Sequence, residues 1–217
     1  MRRNLIILII SALIGIGVTA IYNNISAGKT SDSLKVQELQ QTISEKILRF
    51  HVIANSNSTE DQDLKLKVKE YVAEYIEEML SDSDSLEESI KTINNHNEEI
   101  VHIAKEFVSE CGFDYEVTGQ IATTYFPIKT YGDIMLPAGD YTAYQLIIGN
   151  GTGANWWCIL YPPLCFVDLS TGIVPDDSKD ELKSILNDGE YTLITTGKPE
   201  ITKVRFKYLT FLNRLLD

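Results

Sequence analysis

Apolar side chains recur every three to four residues between Leu34 and Val108, and roughly every two from Tyr115 to Tyr161. The first spacing is that of helices with one buried face, the second that of strands. Leu34, Leu39, Ile43, Ile47 and Leu48, with Glu38 and Glu45 among the polar residues between them, predict a first helix. Phe50-His51-Val52-Ile53-Ala54 is a short apolar run rich in β-branched residues, and Asn55-Ser56-Asn57-Ser58 follows it. The side chains of that second group bond to nearby backbone, so the pair reads as a buried strand entering a loop. Thr59 and Gln62 have the spacing of a capping box, with Ser58 as the alternative cap. Leu64, Val68, Tyr71, Val72, Tyr75, Ile76 and Met79 then make one stripe of a long helix. On it, Asp61 with Lys65 and Asp63 with Lys67 are expected i,i+4 pairs, each contributing about 0.3 kcal/mol.

Ser81-Asp82-Ser83-Asp84 breaks the chain, and Ser85 with Glu88 opens a further helix through Leu86, Ile90 and Ile93. Asn94-Asn95-His96-Asn97 interrupts it, Glu98 to Glu110 resumes it, and Gly112 is placed to end it. Beyond Gly112, Tyr115, Val117, Ile121, Thr123, Tyr125 and Ile128 suggest two strands, Tyr141 to Ile148 a third and Trp156 to Tyr161 a fourth. Turns are expected at Gly132-Asp133, at Pro137-Ala138-Gly139-Asp140 and at Gly149 to Gly153. Strands at this spacing are most simply an antiparallel meander. Asp176 to Leu186 reads as a short acidic helix and Lys203 to Leu215 as an amphipathic one. Helices first and strands later predict an α+β fold, an N-terminal helical half packed on a small, mainly antiparallel sheet.

The N-terminus has a different grammar. Arg2 and Arg3 precede Leu5 to Ile21, a run without a charge, which is the layout of an export leader. Its 17 residues are at the lower limit for a membrane-spanning helix. Val18-Thr19-Ala20 and Ile25-Ser26-Ala27 are both small-residue sites suited to a signal peptidase, and a retained anchor is the alternative to cleavage. The division that follows is 1–27 as leader or anchor and 28–217 as one extracytoplasmic domain, on the far side of the membrane from the two arginines. The whole chain carries a net charge of −12, and removing the two leader arginines takes it to −14. A surface so acidic repels phosphate backbones, which excludes nucleic acid as a partner.

Candidate chemistry is sparse. Gly149, Gly151 and Gly153 have phosphate-loop spacing, but a strand-like Trp156 to Leu160 follows where a helix would be needed, so a hairpin turn is expected. His51, His96 and His102 lack metal-ligand spacing, and no metal or cofactor is expected. Cys111, Cys158 and Cys165 are an odd set. In an oxidising space Cys158 and Cys165 are the natural pair across Pro162-Pro163; three buried thiols acting as small apolar groups are the slightly favoured alternative. Cys158 with His51 is a conceivable nucleophile and base, the basis for a rival reading as an exported thiol hydrolase or wall-modifying enzyme. The lowered thiol pKa that this needs has no visible source.

Two stretches carry polarity that a fold alone does not require. Arg49 and His51 share one strand face beside Asn55, Ser56, Asn57, Asp61 and Gln62, with Lys65 and Lys67 a turn further on. In Asn155-Trp156-Trp157, adjacent residues face opposite sides, so only one tryptophan can enter a given core; with one open sheet face the other is exposed or covers a groove, and helices over both faces are the equal alternative. These residues form the candidate partner-binding set; no catalytic residue is assigned.

Phe50 to Ser58, Glu60-Asp61-Gln62 and Leu64 to Lys69 resemble the N-terminal signature of the stage II sporulation protein R family. Pro137-Ala138-Gly139-Asp140-Tyr141, Asn155 to Cys158 and Tyr161 to Phe166 resemble its second half. The similarity runs from about residue 48 to 168, and Asn57 stands where the family usually has Asp. The resemblance implies a non-enzymatic signal made in the forespore and exported into the space between the two septal membranes. There it would activate a membrane-embedded aspartic protease on the mother-cell side, which removes the pro-sequence of the early mother-cell sigma factor. A structural septal protein is a third, less favoured class.

Overall fold

The computed structural model describes residues 35–163, 174 and 176–196. The predicted leader and the predicted helix from Lys203 lie outside the described residues. Helix α1 covers 35–44. It is followed by β1 (Leu48–Ile53), α2 (Thr59–Leu80), α3 (Leu86–Asn95), α4 (Asn97–Glu110) and β2 (Val117–Phe126). Then come β3 (Lys129–Tyr131), β4 (Ile134–Leu136), β5 (Gly139–Ile148), β6 (Asn155–Tyr161), α5 (Asp176–Ile185) and α6 (Asp188–Thr196).

The expected first helix stops short of Ile47 and Leu48. Leu48 begins the strand instead, and five of the six residues of β1 are buried. A run of that kind, buried on both faces, belongs in the middle of a sheet. The sheet order is β2-β5-β1-β6. β1 is parallel to β5 and antiparallel to β6, while β2 and β5 are antiparallel. The fold is α+β with a mainly antiparallel sheet, but the simple meander is corrected: a strand from the helical half is inserted between β5 and β6. The Gly149–Gly153 loop is therefore no hairpin turn, since it carries the chain past β1. Its glycines do adopt positive φ at Gly149 (58°) and Gly151 (61°).

The two strands expected between Tyr115 and Ile128 are one ten-residue strand, paired without a break from Val117↔Ile148 to Phe126↔Gly139. The Gly132-Asp133 turn joins β3 to β4, a small hairpin that the apolar pattern did not reveal. Three-residue strands are too short to establish a period.

Ser58, not Thr59, caps α2, its Oγ accepting from Asp61 N at 3.2 Å, with Glu60 and Asp61 in the first turn favouring the helix N-terminus. Ser85 caps α3 in the same way, and Gly112, at φ 87°, follows α4. Helices α2, α3 and α4 pack on one face of the sheet. Phe50, Val52, Tyr144 and Leu146 are buried in one cluster with Val68, Val72, Ile76, Ile93, Ile100 and Val108 of those helices. Fully burying each aliphatic side chain contributes about 1.5–3 kcal/mol. The β3–β4 hairpin covers part of the opposite face, with α6 packed against β4. Lys46, following α1, bonds Glu190 of α6 at 2.6 Å, and Gln40 donates to Asp140 O at 2.7 Å.

Candidate functional site

The candidate residues do not converge on one spot. Alternation along β1 sends Arg49 and His51 to one face, as expected; it is the face away from α2, and each enters a different environment there.

Arg49 is fully buried. Its Nε donates to Cys158 O at 3.0 Å and its Nη2 to Tyr131 Oη at 2.8 Å, while Tyr131 Oη donates to Trp157 O at 3.0 Å. The guanidinium carbon lies 4.1 Å from the centre of the Phe126 ring and 5.0 Å from that of Tyr141. Aromatic faces thus stand where a carboxylate would ordinarily balance the charge. Among the described residues Nη1 has no hydrogen-bond partner. Burial lowers the Arg49 pKa, opposed by Tyr131 and Tyr141, and pushes the Tyr141 phenol up to about 12. This arrangement clamps the hairpin to the sheet.

His51 stacks on Trp157, with ring centres 4.0 Å apart and planes 13° from parallel. Its Nδ1 faces Gln145 Nε2 at 3.3 Å. Gln145 Nε2 also donates to Thr124 Oγ1 at 2.7 Å, and Gln120 Nε2 donates to Gln145 Oε1 at 3.0 Å. Burial lowers the His51 pKa, with the side chain of Asn155 acting the other way. The result is a polar row across the sheet, from Gln120 through Gln145 and His51 to Asn155. The row borders the part of this face that the hairpin leaves open, where Thr118, Gln120 and Asn155 are exposed. Sequence reasoning missed Gln120, Thr124 and Gln145. The available signal was a glutamine on the same face of two strands, at positions where a covered sheet would hold apolar residues.

Asn55, Ser56, Asn57, Asp61, Gln62 and Lys65 form a third group, closed by its own hydrogen bonds. Asp61 Oδ2 accepts from Asn55 Nδ2 at 2.9 Å and from Ser56 Oγ at 2.5 Å. Asn55 Oδ1 accepts from Asn150 N, and Asn57 Oδ1 from Ala154 N. Lys65 Nζ donates to Gln62 Oε1 at 2.7 Å and to Ala154 O at 3.1 Å, so the expected Asp61–Lys65 pair is replaced by loop bracing. Burial tends to raise the Asp61 pKa, but hydrogen bonds from Ser56, Asn55, Tyr115 and Ser58 outweigh it and hold the carboxyl below its ordinary value. A Cβ on Gly153 would lie 2.1 Å from Ser56 O, and one on Gly149 would lie 2.3 Å from Asn55 Oδ1. The glycines let the two loops touch.

Trp156 and Trp157 point to opposite faces, as predicted, and both are half-buried. Lys69 of α2 lies over Trp156, its Nζ 5.0 Å from the ring centre. Lys67 is exposed on α2. Cys158 is disulfide-bonded and Cys111 is free, which corrects the slightly favoured picture of three free thiols. Cys165 lies outside the described residues. A cysteine held in a disulfide is no nucleophile. Among the described residues no group of His, Cys, Asp and Glu is arranged to hold a metal ion, and no helix is long and apolar enough to cross a membrane.

The class so defined is an α+β domain in which most motif residues brace the fold and a polar row borders an open half of its sheet. The family profile described as Stage II sporulation protein R (spore_II_R) matches residues 44–171, and the chain belongs to that family. A relative named Stage II sporulation protein R, from Bacillus subtilis (strain 168), is 34% identical over 179 residues, covering 82% of this chain and 80% of the relative. No solved structure matches. The family membership gives the chain a role in sporulation.

Proposed function

We propose that this chain is an exported sporulation signal. It activates a membrane-embedded aspartic protease in the opposite septal membrane, leading to removal of the pro-sequence from the early mother-cell sigma factor. The observation that carries this reading is the family match over residues 44–171, which spans both motif stretches, on the neighbouring strands β1 and β6. The basic head and apolar run of the leader support export into the intermembrane space, with the membrane involved in transit or through a retained anchor.

The surface offered to the protease is the open half of the sheet: Asn155, Gln145 and Gln120, with Trp157 at its rim and Lys129 5.9 Å from the centre of that ring. Carboxamides both donate and accept, so such a row fits the backbone of an extended, polar loop. The internally bonded Asn55–Lys65 group holds β1 and β6 in place beneath it. Binding would activate the protease by favouring its active arrangement over the inactive one. The disulfide at Cys158 counts against the thiol-hydrolase alternative.

Reconstitution tests the reading. The full chain is expressed beside the protease and the sigma-factor precursor in a non-sporulating host, and precursor size is followed on a gel. Cleavage should require all three components and a functional leader. Uncleaved precursor, with the chain exported and folded and the protease competent, would refute activation.

A further inference from the structure

Strand β2 lies at one edge of the sheet. Gly149 N donates to Glu116 O at 2.8 Å, and the antiparallel register continues without a shift to Phe126↔Gly139. Hydrogen-bonded and non-bonded pairs alternate along such a ladder. The backbone N–H and C=O groups of Gly119, Ile121, Thr123 and Tyr125 therefore point away from β5, where no strand of the described residues pairs with them. Edges of this length are ordinarily blunted by a charge, a proline or a bulge. In its ten residues, VTGQIATTYF, β2 has none of these. The strand is uncharged although the chain carries −12. Exposed apolar side chains lie on its last residues and just past it, Tyr125 at 62% and Ile128 at 59%.

What fits a neutral edge on an acidic molecule is another such edge, because two copies approach there with the least repulsion. The flanking charges are complementary as well. Asp114 and Glu116 precede the strand, Glu116 already paired with Lys105 at 2.8 Å and Asp114 left to carry the charge, and Lys129 follows it. Antiparallel pairing about a two-fold axis lays the Lys129 end of each copy against the Asp114–Glu116 end of the other.

We infer that β2 is the surface through which two copies of this chain pair, edge to edge and antiparallel, joining their two four-stranded sheets into one. The pairing is independent of the activation proposed above.

Cysteine cross-linking of the full chain in the membranes and periplasm of a host that exports it tests this. In a Cys111→Ser background, Ile121→Cys and Thr123→Cys are oxidised singly and co-expressed, with Lys91→Cys on exposed α3 as the control. A disulfide-linked product of twice the chain mass should form at the β2 positions and not at 91. Thr123→Pro removes an outward N–H and no ladder bond, and Thr123→Glu brings a carboxylate of each copy to the seam. Either change, added to Ile121→Cys, should abolish the product while export and protease resistance persist. Cross-linking no greater than at position 91, a product insensitive to Thr123→Glu, or an adduct only to a co-expressed protease would each overturn the proposal.

Discussion

His51 lies against the Trp157 ring with its Nδ1 on the Gln145 amide, a setting that favours the neutral imidazole because burial penalises the charge. Its folded pKa is below the unfolded value of about 6.5, so between the two values the unfolded chain binds more protons. Stability from this group is full above about pH 6.5 and is lost as pH falls toward the folded pKa. Urea midpoints should therefore drop as pH falls below neutrality, and His51→Gln should flatten that drop. An unchanged pH profile in the variant would contradict the burial of a neutral ring. Asp61 acts in a lower window. Its folded pKa is depressed, so its contribution is present above about pH 3.9 and is lost as pH falls through the folded value. Arg49 is a packing residue carrying a charge. Arg49→Ala leaves a cavity beside Phe126 and strips partners from Tyr131 Oη and Cys158 O, and should cost about 2–5 kcal/mol in chemical denaturation. A loss of under 1 kcal/mol would mean that the hairpin clamp contributes little.

The contact between the 55–62 loop and the 149–154 loop is decided by one missing methyl group at Gly153. Gly153→Ala sets a Cβ against a backbone carbonyl that cannot swing aside, and should destabilise by at least about 1–3 kcal/mol, measured as a shift in urea midpoint. The sequence showed three glycines and a cluster of Asn, Ser and Asp, but not that these two segments, some ninety residues apart, bond to each other. Elements with a long period were readable: the stripe from Leu64 to Met79 became α2, and the serine caps at 58 and 85 mark true helix starts. Leu48 was misassigned because one apolar residue satisfies both a helical and a strand period. The place of β1 beside β5 was not legible at all, since pairing between residues 49–53 and 143–147 leaves no local trace. The candidate site divided along the same line. Alternation put Arg49 with His51 and separated Trp156 from Trp157, whereas Gln120 and Gln145 gained meaning only once their strands lay side by side.

Among the described residues, one face of the sheet is sealed by three helices, and the other is half-covered by a hairpin anchored on Arg49. Most of the motif residues brace this arrangement, and few are left over to touch a partner. In the activation proposed above, the open half-sheet, with Asn155 at its border, engages the protease while the buried motif residues hold it in shape. Asn155 is exposed at the start of β6, so Asn155→Arg gives up its contact with His51 and should cost no more than about 1.5 kcal/mol. The most direct test is the precursor-cleavage assay run on this variant, with its urea midpoint and export measured in parallel. A folded, exported Asn155→Arg chain should fail to trigger cleavage. Cleavage at the rate of the unaltered chain would contradict the claim that this surface meets the protease.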